Sequence, residues 1–190
     1  MFLRDFTFTE LERLQPRANE ADDALQMDQD TFRQIYERTA RPLWVFLWRR
    51  TSDSQLADDL LQETYYRFLR NRGTYESDAH RRNYLFRIAT NLANDAYRAP
   101  RMDHVSLSNG EEHPLASNDP DIASRNQRRT DLERAMSRLP VRQRDALWLA
   151  YVEGSSHEEI AGILGMKVAS IKLLLFRARQ KMVKLLGGAR

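Results

Sequence analysis

The 190-residue sequence contains no cysteine, which excludes disulfide bridges and thiolate metal sites and fits a reducing compartment. Long apolar runs are missing as well. The longest, from Pro42 to Trp48, falls far short of the about 20 residues that span a bilayer. The opening MFLRDFTFTELERL sets acids among its apolar positions and has no signal-peptide core. The expectation is a soluble, cytoplasmic protein with no membrane insertion. Strand patterns do not alternate with helical ones, so the expected fold class is all-α. Neither Glu-x-x-His nor His-Glu-x-x-His occurs, and His80, His104, His113 and His157 are scattered. A helical metalloenzyme built on Asp58, Asp59, Glu63 and one histidine therefore lacks its signature. No metal, cofactor or catalytic residue is expected.

Net charge is small only on average. The net charge of +3 conceals a split: residues 125–190 carry 14 Lys and Arg against 6 Asp and Glu. Residues 1–124 carry 16 basic and 21 acidic side chains. A basic segment beside an acidic one points to a nucleic-acid partner for the basic segment.

That segment holds the most informative stretch, Leu147 to Leu185. An apolar helix, LWLAY, closes on Glu153-Gly154. Ser156 and Glu159 then form a capping box at the start of a short helix, EEIAGIL. Gly165 suits the left-handed turn that ends it. A long helix follows from about Ala169 to Leu185. Ala161 allows two helices to cross closely, and Ile160, Leu164, Ile171 and Leu175 supply an apolar seam. This is either a helix-turn-helix, whose second helix enters the major groove, or an ordinary helical hairpin. The local basic charge favours the first.

Residues 1–29 form an acidic arm, with a possible short helix near Phe8–Leu14. The arm either shields a basic surface or is a solvated tail. Helical spacing begins at Asp30 with Phe32, Ile35, Tyr36, Leu43, Phe46 and Leu47. Pro42 should kink or divide this helix, and Trp44 and Trp48 read as core anchors. A second helix, about Gln55 to Arg70, turns Leu56, Leu60, Leu61, Thr64 and Phe68 inward. Asp59, Gln62, Glu63 and Tyr66 share its outward face, where a plain solvated surface is the simpler reading. A third, Ala79 to Arg98, buries Leu85, Ile88, Ala89, Leu92 and Ala96. Asn83, Arg87, Asn91, Asn94 and Arg98 align on another face, with Thr90 alongside. Asparagine is a mediocre helix former, whereas amides and guanidinium groups read bases and hold phosphates. One or two of Tyr75, Tyr84, Phe86 and Tyr97 are expected to stack on unpaired bases. Residues 99–124, with Pro100, Gly110, Pro114 and Pro120, read as a flexible acidic linker. The expected organisation is two small helical domains, 30–98 and 125–190, the second opening with Thr130–Leu139 and with Pro140 starting the next helix.

Two strings carry a resemblance. LADDLLQETYYRFLR followed by RNYLFRIATNLANDAYR resembles the first conserved domain of bacterial extracytoplasmic-function sigma factors, of the RNA polymerase sigma-70 family. LERAMSRLPVRQRDALWLAYVEGSSHEEIAGILGMKVASIKLLLFRARQKM resembles the second. The resemblance spans about Asp30 to Leu186 and implies a dissociable initiation subunit with core RNA polymerase and promoter DNA as partners. It implies that Asp59, Gln62 and Glu63, with Tyr66 beside them, dock on the polymerase clamp. The loop Arg70–Asp78, including Arg72, and the next helix would melt and hold the proximal promoter element through Asn83, Arg87, Asn91, Asn94 and Arg98. The helix-turn-helix would read the distal element through Lys167, Ser170, Lys172, Arg177 and Arg179. The linker would thread towards the catalytic cleft, and an anti-sigma protein is a further implied partner. Three departures from the family stand out. Lys167 stands where Ser or Thr is usual, Tyr84 where Trp is common, and Leu173-Leu174-Leu175 replace the polar residues after Lys172. Only part of that run can be buried, so Leu173 or Phe176 would face thymine methyls or another protein surface. The competing reading is a stand-alone helix-turn-helix regulator, which would need a ligand or phosphoacceptor domain upstream.

Overall fold

A computed structural model describes residues 27–71, 73, 75–98 and 120–187, and every regular element among them is an α-helix. Most of the acidic arm, Arg72 and most of the expected linker lie outside the described residues. The helices fall into two compact units. The first contains α1 (Gln29–Thr51), α2 (Ser54–Arg70) and α3 (Asp78–Arg98). The second contains α4 (Pro120–Ser137), α5 (Val141–Tyr151), α6 (His157–Leu164) and α7 (Val168–Gly187). No described helix is long and apolar enough to cross a membrane.

Side-chain caps set where the first helices begin. Asp28 Oδ1 accepts from the Thr31 backbone N–H at 2.9 Å and Oδ2 from the Thr31 hydroxyl at 2.7 Å. These bonds hold the Asp28 carboxyl below the usual carboxylate range. Asp53 repeats the device for α2, accepting from Leu56 N–H at 3.1 Å. Of the two outcomes expected at Pro42, division does not occur: α1 runs through it as one helix. Leu43, Phe46 and Leu47, all nearly inaccessible, hold its second half against the other helices. A Leu or Phe so buried contributes about 1.5–3 kcal/mol, enough between them to offset one lost backbone hydrogen bond.

Leu43, Leu47, Tyr65, Phe68, Leu85 and Phe86 form the centre of the first unit, and Ala57, Ala89 and Ala93 let the helices approach. Phe32, Tyr36 and Tyr65 pack ring on ring, with Tyr65 edge-on to Phe32 at 5.8 Å. The Thr39 hydroxyl donates to the Ile35 carbonyl at 2.7 Å, so its one proton is engaged. Tyr65 must then be the donor in its 2.7 Å bond to Thr39 Oγ1. Burial pushes the Tyr65 phenol well above the ordinary tyrosine range, and it stays neutral. Trp44 and Trp48, expected in the core, are only half-buried. Their rings stack at 6.0 Å, and Trp44 Nε1 donates to Asp58 Oδ1 at 2.6 Å. An indole N–H needs a polar partner, which keeps this pair at the margin. Leu56, Ala96 and Leu164 are likewise half-buried rather than inside.

In the second unit α4 begins at Pro120, ten residues before the expected Thr130 and within the expected linker. No apolar stripe announced it. Between Asn126 and Ser137 only Ala135 is buried, and the exposed side carries Gln127–Asp131 and Arg129–Glu133 pairs one turn apart. The helix-turn-helix is present as read. Ser156 Oγ accepts from Glu159 N–H at 3.2 Å while Glu159 Oε2 accepts from Ser156 N–H at 2.7 Å, closing the capping box. Gly165 sits at φ 62° and ψ 40°, its N–H returning to the Ala161 carbonyl. Leu149, Ile160, Ile163 and Ile171 are fully buried where α5, α6 and α7 meet.

Gly162 inside α6 and Gly165 at its C-cap should respond oppositely to alanine. At Gly165 a Cβ meets nothing within 4 Å, yet the positive φ makes it strained, so Gly165→Ala should lose about 1–2 kcal/mol. Gly162 lies inside the helix with equally open space, and Gly162→Ala should gain up to about 1 kcal/mol. Urea denaturation followed by circular dichroism checks both signs.

Candidate functional site

On α2, Asp59, Gln62 and Tyr66 are exposed and Glu63 is half-buried, all on the side away from Leu60, Leu61, Thr64 and Phe68. Two pairs one turn apart order the face. Arg67 Nε donates to Glu63 at 2.6 Å. Arg70 donates to the Tyr66 hydroxyl at 2.7 Å, and its guanidinium carbon lies 5.3 Å from the Tyr66 ring centroid. Neighbouring acids diverge: Asp58 is held by Trp44, whereas Asp59 points outward. The face thus offers a carboxylate and an amide to a partner, with Glu63 already neutralised in part.

The connection from α2 to α3 is anchored by rings. Tyr75 stacks on Phe68 at 5.2 Å and approaches Tyr84 at 5.6 Å, while Asn71 Nδ2 donates to its hydroxyl at 3.0 Å. Burial is the main cause that raises the Tyr75 phenol. Phe86 is in the core and packs edge-on against Phe46. Tyr97 is half exposed, with its hydroxyl donating to the Arg50 carbonyl. Tyr75 and Tyr84, half-buried, are the rings beside the loop. Arg72 is outside the described residues.

Along α3, Arg87, Asn91 and Arg98 are exposed, and Asn83 is half-buried. They lie within one face, as their spacing requires. Asn94 belongs to that face but accepts a hydrogen bond from Arg50 Nη2 through its Oδ1. Arg50 is 3 % exposed, so Asn94 solvates a buried cation and keeps only its NH2 for another partner. Thr90, expected beside the polar face, is buried. Its hydroxyl has no hydrogen-bond partner among the described residues.

On α7, Lys167 just before the helix and Lys172, Arg177 and Arg179 within it are exposed, and Ser170 is half-buried. Arg179 donates to the Tyr151 hydroxyl of α5 at 2.8 Å, which fixes its direction. Exposed Lys181 and Lys184 stand four and seven residues beyond Arg177 and extend the basic surface. That spacing was legible in the sequence, though neither lysine was among the candidates. Leu173 and Phe176 are about half exposed, while Leu175 is buried and Leu174 half-buried.

Two helical units, the second a helix-turn-helix with a basic outer helix, define a protein that works on nucleic acid through binding faces. Comparison with known proteins narrows this. Residues 35–101 match sigma-70 region 2 and residues 129–182 match sigma-70 region 4. The chain is 35% identical to the RNA polymerase sigma factor CarQ of Myxococcus xanthus, over 84% of this chain and 91% of that one. It is 32% identical to the ECF RNA polymerase sigma factor SigM of Bacillus subtilis, over 80% and 93%. In fold it is similar to the sigma factor RpoE from Bartonella quintana, solved in complex with the anti-sigma factor NepR. That match has a TM-score of 0.60 and 23% identity, covering 85% of this chain and 99% of that one. CnrH, solved with the cytosolic domain of CnrY, gives a TM-score of 0.62 at 23% identity, covering 86% and 92%. The chain belongs to the RNA polymerase sigma-70 factors of the ECF type.

The asparagines of α3 should separate by role. Asn94→Ala removes an acceptor from a buried guanidinium and should destabilise the protein by about 1–3 kcal/mol. Exposed Asn91→Ala should stay within about 0.5 kcal/mol of the parent. Denaturant midpoints of the two variants measure the difference.

Proposed function

We propose that this chain gives core RNA polymerase its promoter choice through three separate faces. Asp59, Gln62, Glu63 and Tyr66 dock on polymerase. Asn83, Arg87, Asn91 and Arg98 hold the unpaired strand of the proximal element, with Arg72 and the free NH2 of Asn94. Lys167, Ser170, Lys172, Arg177 and Arg179 grip the distal element. The observation that carries this reading is the outward placement of Arg87, Asn91 and Arg98 on one face of α3, opposite its buried stripe. A helix that needed only to be soluble would gain more from better helix formers than asparagine.

The mechanism is binding and strand opening, with no covalent chemistry and no cofactor. Cations on phosphates supply sequence-independent affinity that falls steeply with salt. Extruding a base costs a few kcal/mol, least at easily unstacked steps such as TA, and contacts to polymerase supply the rest. The protein works where the polymerase is, in the cytoplasm. The RpoE relative is bound to an anti-sigma factor, and an equivalent inhibitor is the matching partner for this chain.

Transcription with purified core polymerase on fragmented genomic DNA tests the whole reading: new, defined start sites should depend on this chain. Tight and specific promoter binding by the isolated chain would instead favour a stand-alone regulator. Changing Asp59→Lys and Glu63→Lys together should abolish polymerase association while leaving the far-ultraviolet circular dichroism intact. Asn91→Ala should slow promoter opening, followed by permanganate reactivity, more than it weakens the closed complex.

A further inference from the structure

The unburied side of α7 is an apolar keel with cations along both flanks. Ile171, Leu175, Ala178 and Met182 are its buried residues. At about 100° per residue, Ala169, Leu173 and Phe176 fall together on the opposite side. All three are exposed, Leu173 by 49% and Phe176 by 51%. Lys172 and Arg179 flank the keel on one side, Arg177 and Lys184 on the other, and all four are exposed. Two such faces would repel one another, which argues against a second copy as the occupant.

The major groove fits this pattern. Its walls are phosphates, which match both rows of cations. Its floor presents donors and acceptors with a single apolar group, the C5-methyl of thymine. Arginine or lysine reads guanine there, and Asn or Gln reads adenine. Ala169, Leu173 and Phe176, the keel residues that follow the turn, are none of these, and Lys172 lies on the flank. We propose that Leu173 and Phe176 determine specificity by packing on thymine methyl groups of the distal promoter element. This rests on the reading of α7 as the groove-entering helix. From Ala169 to Phe176 the axis advances about 10 Å, so the thymines lie within about three consecutive base pairs.

Replacing thymine by deoxyuridine removes the methyl group and nothing else. Holoenzyme assembled from core polymerase and the full chain is first used to select bound duplexes from a randomised library. The selected duplex is then made with thymine or with deoxyuridine in its distal element. The parent holoenzyme should lose about fourfold in affinity per methyl, the effect of one buried carbon. Leu173→Ala and Phe176→Ala holoenzymes should each become indifferent to one substitution that the parent detects. Both side chains are exposed, and alanine favours the helix. Equal binding of both duplexes by the parent, with Lys172→Ala and Arg177→Ala still weakening it, would overturn the methyl contact and leave the groove reading standing. Unchanged DNA binding by Leu173→Ala with weakened polymerase association would overturn it in favour of a protein contact. Indifference to scrambling of the whole distal element would refute the groove reading itself.

Discussion

Each helix in this protein can bury only one stripe, and the period of 3.6 residues decides what the rest of it presents. In α2 the burial of Leu60, Leu61, Thr64 and Phe68 forces Asp59, Gln62 and Tyr66 outward. In α3 Leu85, Ile88, Ala89 and Leu92 do the same for Arg87 and Asn91. In α7 Ile171, Leu175 and Ala178 leave Leu173 and Phe176 no route inward. The outer faces are therefore fixed by the core, and a shift of one residue in any helix would turn its whole outer face by about 100°.

Several polar groups inside the first unit are paired locally or across the bundle, and this diverts residues that look functional. Thr39 and Tyr65 serve each other. Asp58 serves Trp44. Asn94 and Tyr97 serve Arg50 at two different atoms, the guanidinium and the backbone carbonyl. An arginine cannot escape burial by losing its proton, so its acceptors are required for stability before they are available for anything else.

Features with short sequence range were legible. Ser156, Glu159 and Gly165 are close neighbours, and together they announce the helix-turn-helix. The inward stripes of α1, α2 and α3 were legible for the same reason, since each is written in a single helix. Features that depend on a distant partner were not. Asn94 and Asn91 look alike in the chain, and only Arg50, 44 positions away from Asn94, separates them. Trp44 and Trp48 have core spacing, but the pull of Asp58 on the indole N–H keeps them at the surface. The early start of α4 could not be read because the helix is held by charge pairs and one or two apolar anchors, which leave no period. The resemblance to sigma factors bridged part of this gap, because it rests on the order of two motifs rather than on any one contact.

The buried Arg50 also bears on how the first unit is made. Its side-chain acceptor on Asn94 and its backbone donor on Tyr97 belong to the last turns of α3. During synthesis α1 and α2 emerge first, before Asn94 can meet that guanidinium or Tyr97 that backbone carbonyl. A two-helix intermediate of α1 and α2 would lack both of these bonds, which only the last turns of α3 complete. Closure waits for the end of α3, and the unit should assemble in one cooperative step governed by contacts distant along the chain.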